Sequence, residues 1–106
     1  MQLQYFVIVI TTSNLKEART ISKALIKDRK AACVNIIKNI ESCFYWQDKL
    51  QREKEVLLIV KSAKVHFKDI VKIAKKHHSY KVPEIIALPI ARQDKDYQNW
   101  MKKVLR

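Results

Sequence analysis

The run from Ala32 to Trp46 constrains the fold more than any other part of the chain. It is β-type throughout, with Val34, Ile36, Ile40, Phe44 and Trp46 on one parity and Cys33, Asn35, Ile37, Cys43 and Tyr45 on the other. Because strand side chains alternate between faces, both faces carry apolar groups. Gln47-Asp48-Lys49 supplies turn residues, and Val56 to Lys61 resumes a strand after the charged segment Gln51 to Glu55, so the two strands are expected to form an antiparallel hairpin. Strands well beyond the usual length of about 5–6 residues project past the helices a small domain can lay over them. Something else must cover the projecting part.

The remaining elements follow from periodicity. Leu3 to Thr11 is an apolar, β-rich run, too continuous for a strand with one wet face, and is expected at the centre of a sheet. Asn14 with Glu17 reads as a capping box, followed by Ala18, Ile21, Ser22 and Leu25 at helical spacing and by basic residues from Lys27 to Lys30. Phe67, Ile70, Val71 and Ala74 predict an amphipathic helix over Lys64 to His78. Pro83 precedes a short strand, Glu84 to Pro89, and Asp94 caps a last helix carrying Tyr97, Trp100, Met101 and Val104 on one stripe. The order βαββαβ plus a C-terminal helix is an α+β, ferredoxin-like arrangement with a long β-hairpin, filling residues 1–106 as one domain.

Glycine is absent from all 106 residues. That excludes the phosphate-cradling loops of nucleotide enzymes, whose backbone needs glycine to approach the ligand. No apolar stretch approaches the roughly 20 residues of a membrane helix, and the N-terminus lacks the basic-then-apolar order of a secretory signal, so a cytoplasmic location without a membrane span is expected. Lys and Arg number 22 against 10 Asp and Glu, a net charge of +12. These cations are distributed along the chain, which favours a solvated surface over a docking patch for nucleic acid. The sequence Glu53 to Ile59 also lacks the glycines and aromatics of the RNA-binding signature carried by some βαββαβ domains.

Candidate chemistry is sparse. His77 and His78 are adjacent at the end of the second helix, about 100° apart if helical, so one metal reaches both only where the helix unwinds. The alternative is that one fills the apolar face while the other meets solvent. Cys33 reads as a buried packing thiol or as a soft ligand for copper, and Cys43, near the hairpin end, as the more exposed thiol. Glu55 and Glu84 flank apolar strand residues, either as buried functional acids or as strand-end charges. Trp46, Trp100, Tyr45, Tyr80 and Tyr97 are packing or stacking aromatics. No Ser-His-Asp set or acid pair suggests an enzyme.

Four segments in order resemble the CutA family: Lys30-Ala31-Ala32-Cys33-Val34-Asn35; Tyr45-Trp46 followed by Lys49 and Glu55; His78-x-Tyr80-x-Val82-Pro83-Glu84-Ile85; and Tyr97-x-x-Trp100. The resemblance implies a homotrimer whose long hairpin strands pair across subunits, and a non-enzymatic role in tolerance to divalent metals. It also implies a copper site containing His77 and His78, whose third ligand, a cysteine, falls here on Ile10, leaving Cys33 as the substitute. Asp48 and Ser79 stand where the family usually has glycine and proline. Two further readings are a basic trimeric module for nucleic acid or other anionic partners, and a small-molecule-sensing trimer like the PII regulators.

Overall fold

The structure, a computed structural model, describes residues 3–105. Its elements are β1 (Tyr5–Thr12), α1 (Leu15–Lys27), β2 (Cys33–Trp46), β3 (Lys49–Ala63), α2 (Phe67–His77), β4 (Ile85–Pro89) and α3 (Lys95–Val104), with a 3-10 turn at Lys64–His66 leading into α2. All pairings are antiparallel and the strand order is β2-β3-β1-β4, so β1 is central and the split βαβ arrangement is ferredoxin-like.

Local chemistry sets the helix ends. The Asn14 side chain accepts from the Glu17 amide at 2.8 Å, while the Glu17 carboxylate accepts from the Ser13 amide at 3.4 Å, so the reciprocal half of the expected box falls one residue earlier. At the other end Arg29 takes a left-handed conformation (φ 59°), its amide donating to the Ile26 carbonyl and that of Lys30 to the Leu25 carbonyl. Glycine ordinarily makes this closure, and here a residue with a Cβ does so. The same substitution recurs in the hairpin loop, where Gln47 (φ 51°) and Asp48 (φ 62°) occupy both central positions of a two-residue turn.

Two expectations for the hairpin need correcting. Lys49 already belongs to β3, and the charged segment Gln51 to Glu55 continues the strand instead of interrupting it, since ladder pairing with β2 holds it extended. The second concerns parity. Between Ile37, opposite Leu57, and Ile40, opposite Glu55, β2 has one residue more than β3, with Asn39 in the left-handed region (φ 61°). This β-bulge reverses the alternation. Val34 and Ile36 face α1 and α2, whereas Ile40, Ser42, Phe44 and Trp46 turn to the opposite side together with Glu55, Glu53 and Gln51.

The main core lies between the sheet and the two helices: Ile8, Ile10, Leu58 and Val60 pack against Ala18, Ile21 and Leu25 of α1 and Ile70 and Ala74 of α2. A smaller cluster of Tyr5, Ala32, Ala63 and Met101 anchors α3. Through Tyr5 and Ala63 that cluster covers one end of the opposite sheet face, and the rest of this face is left open. Val7, Val9, Leu57 and Ile59 are half-buried there, and Ile37, Ile86 and Leu88 are exposed. β1 ends at Thr12, opposite Val56, so the pairs from Ile40–Glu55 to Trp46–Lys49 stand beyond the four-stranded sheet as a two-stranded ribbon about 20 Å long. The extents of 46 × 26 × 22 Å record that projection.

Candidate functional site

The segment between α2 and β4 crosses the end of β1 and leans on the base of the ribbon. α2 stops at His77, and His78 is already extended, which separates the two imidazoles. His77 is exposed, while the His78 side chain is fully buried. The Tyr80 amide donates to His78 Nδ1 at 3.0 Å, which puts the ring proton on Nε2, and Nε2 donates to the Thr11 carbonyl at 2.7 Å. Glu17 Oε1 lies 3.4 Å from Nδ1. The Ser79 amide donates to Glu17 Oε2 at 3.2 Å, a bond that a proline at this position could not make. His78 is thus a structural pin between α2, β1 and the following segment.

The pin places Tyr80. Its ring lies against that of His78, with centroids 4.9 Å apart, and its hydroxyl donates to Glu55 Oε2 at 2.9 Å. Burial, the bond to Glu55 and the charges of Glu55, Glu53 and Glu17 push the phenol up to about 12, so it remains a donor. Glu55 is only 5% exposed, yet no lysine, arginine or histidine among the described residues lies within ion-pair distance of it. Its second oxygen, Oε1, has no hydrogen-bond partner among the described residues. Among the described residues no fully buried side-chain polar atom is orphaned, so Oε1 reaches accessible space.

That space is a cleft of about 1050 Å³ between the ribbon and the 80–84 segment. Ser42, Phe44, Trp46, Gln51, Glu53 and Glu55 line one side and Tyr80, Lys81, Val82 and Glu84 the other, with Thr11 and Ser13 at the base. The bulge makes this possible, because it turns Phe44 and Trp46 toward the face that carries Glu53 and Glu55. Of the two acids left open by the sequence, Glu55 is the buried one and Glu84 is exposed. Sequence reasoning had Tyr80, Glu55, Trp46 and Glu84 in separate roles. Glu53, Phe44 and Ser42 were missed as lining residues because the alternation was read straight through the bulge.

The expected metal ligands are not brought together within one subunit. Ile10 is fully buried in the core beneath the helices. Cys33 pairs with Lys61, which pairs with Val7, whereas His78 meets Thr11; that is four residues along β1, roughly 13 Å, and two strands across, roughly 10 Å. Cys33 instead touches Tyr97 of α3, whose phenol is raised first by burial and then by that thiol. His78 has both nitrogens engaged. Among the described residues no three His, Cys, Asp or Glu side chains are placed to hold a metal ion, so His77, His78 and Cys33 of one subunit do not fit a copper site.

Comparison with known proteins agrees with this architecture. The family model described as CutA1 divalent ion tolerance protein matches residues 6–104. The divalent-cation tolerance protein CutA of Thermus thermophilus is 41% identical over 97 residues, covering 92% of this chain and 94% of that one. Its counterpart in Escherichia coli is 32% identical over 100 residues, covering 94% and 89%. Among solved structures, the Thermus thermophilus protein superposes with a TM-score of 0.94 at 39% identity, over 96% of this chain and 99% of that one. CutA1 from Oryza sativa gives 0.95 at 35%, over 98% and 95%. With nearly the whole length matched in sequence and fold, this chain belongs to the CutA1 divalent ion tolerance family.

Proposed function

We propose that the protein works as a cytoplasmic homotrimer, without enzymatic activity, in the response to a divalent cation, with copper the first candidate. The observation that carries this reading is the uncovered apolar surface of Ile37, Ile86 and Leu88 on the open sheet face, together with Tyr45 and Leu50, a cross-strand pair exposed on the ribbon face turned away from the cleft. Uncovered apolar surface of this kind marks an interaction surface. β2 and β4 are the two sheet edges, and laying the ribbon of one subunit on the edge of the next buries both edge and face. A head-to-tail contact closes when the rotation permits, and three copies form such a ring. No helix among the described residues is long and apolar enough to cross a membrane.

The cleft groups favour binding over catalysis. Tyr80 is held protonated by burial and by Glu55, and both nitrogens of His78 are committed to the backbone. Cation contact therefore falls to His77, the accessible imidazole, completed by groups of a neighbouring subunit, Cys33 being the soft donor available across an interface. Sedimentation in dilute buffer tests the assembly, with a particle about three times 12.5 kDa expected. A stable, folded single subunit removes the proposal. Titration of Cu(I) and Cu(II) against wild type and His77→Ala tests the ligand, and equal affinity in the two proteins eliminates His77. His78→Ala is unsuitable, because it removes the pin as well as the imidazole.

A further inference from the structure

Glu55 presents a physical problem that the family reading does not solve. A buried carboxylate without a cationic partner is costly, and this one has none among the described residues, although the sequence carries 22 lysines and arginines. Tyr80 satisfies one oxygen, and the other has no partner among the described residues. The ladder puts the Glu55 side chain on the same side as Phe44 and Trp46, which line the cleft with part of their ring surfaces exposed. Glu53 adds a second negative charge to that wall, while Lys81 and Glu84, both exposed on the other side, offset one another in charge.

We propose that this cleft binds an organic cation, an ammonium or guanidinium group carried on an apolar or aromatic body, with Glu55 as its charge partner and the rings of Phe44 and Trp46 as its walls. The donor set distinguishes this ligand class from a metal ion. A metal requires several converging donors, and no three His, Cys, Asp or Glu side chains among the described residues supply them. An organic cation requires one carboxylate and an aromatic face, and the cleft has both. Tyr80 fixes the rotamer of Glu55 and leaves Oε1 free, so the acceptor is preorganised. The volume of about 1050 Å³ admits a ligand well beyond the size of a bare amine. The proposal is independent of the metal reading and of His77.

The test uses three probes of similar shape and different charge: 2-phenylethylammonium, 2-phenylethanol and 3-phenylpropanoate. Each is titrated calorimetrically against the purified, assembled protein in EDTA, so that failure of the metal reading does not enter. The cation is expected to bind at least about tenfold more tightly than the alcohol, and the anion more weakly still. In Glu55→Gln the cation should lose about that tenfold while the alcohol is unchanged, and Trp46→Ala should weaken both. Circular dichroism and sedimentation establish that each variant keeps its fold and assembly. Equal affinity of cation and alcohol for the wild type, or no binding of the cation, overturns the proposal without any variant; so does a folded Glu55→Gln protein that keeps the preference for the cation.

Discussion

In the body of the sheet, Ile8, Ile10, Leu58 and Val60 are sealed beneath α1 and α2, whereas further along the same hairpin Phe44, Tyr45, Trp46 and Leu50 stand in the open. β2 and β3 run through both regions without a break in the hairpin, so strand propensity does not distinguish them. What differs is cover. The body has its own helices to remove apolar surface from water, while the ribbon has only its ladder bonds and the touch of the 80–84 segment. Stability thus concentrates in one region and uncovered apolar surface in the other.

Truncation in each region is the strongest way to break that contrast. Leu58→Ala removes a fully buried side chain and is expected to cost about 2–5 kcal/mol. Leu50→Ala, in the exposed ribbon, should change the stability of the separate subunit by no more than about 0.5 kcal/mol. Denaturant unfolding over a range of protein concentrations measures both. If Leu50→Ala costs as much as Leu58→Ala at every concentration, the ribbon is part of the folding core and the contrast fails. If its cost appears only where subunits associate, the ribbon is an interface.

Much of the body was legible in the sequence, because periodicity reports burial when one helix or strand face is covered. Ala18, Ile21 and Leu25, and Ile70 with Ala74, are buried as their spacing predicts. The ribbon was legible in length but not in orientation. A single additional residue near Asn39 moves Phe44 and Trp46 to the face opposite Val34 and Ile36, and the signal for it is slight: Asn39, a residue type that tolerates the left-handed conformation it adopts. The site suffered in turn. Glu55 and Tyr80 lie 25 residues apart in the chain and meet only because His78 leaves the helix and turns the following segment over the end of β1. Pairing of that kind comes from tertiary structure, and spacing does not encode it.

The junction of the two regions should respond less than the core but more than the ribbon. Tyr80→Phe keeps the ring against His78 and removes the donor to Glu55, and leaving a buried carboxylate without it is expected to cost about 1–3 kcal/mol. A double-mutant cycle with Glu55→Ala, which removes the acceptor, isolates the pair, and additive effects of the two changes would show that the bond contributes nothing. At the far end of the ribbon the sign reverses. Asp48 holds φ 62° in the second central position of the turn, where glycine carries no steric penalty, so Asp48→Gly should stabilise by about 0.5–1 kcal/mol. A loss on that substitution would mean that the Asp48 side chain contributes more to the turn than its backbone costs.

The smallest effects are the pH dependences, and these divide between the regions with opposite sign. His66, buried where the body meets α2, has its pKa lowered from 6.5, first by burial and then by Lys30, with Asp69 opposing. The unfolded chain then binds a proton that the folded one resists. His66 stabilisation is complete above pH 6.5 and is lost as pH falls from there through the lower folded value. Tyr80, at the foot of the ribbon, is raised from 10 to about 12, so the unfolded chain releases its proton first. Its contribution is complete below pH 10 and disappears as pH rises toward about 12. Unfolding measured against pH should therefore show a shallower acid limb in His66→Gln and a shallower alkaline limb in Tyr80→Phe, each relative to wild type. Comparing each variant with wild type isolates the contribution of the substituted group. Should one substitution flatten both limbs, the two groups are coupled through the sheet, and body and ribbon respond to protons as a single unit.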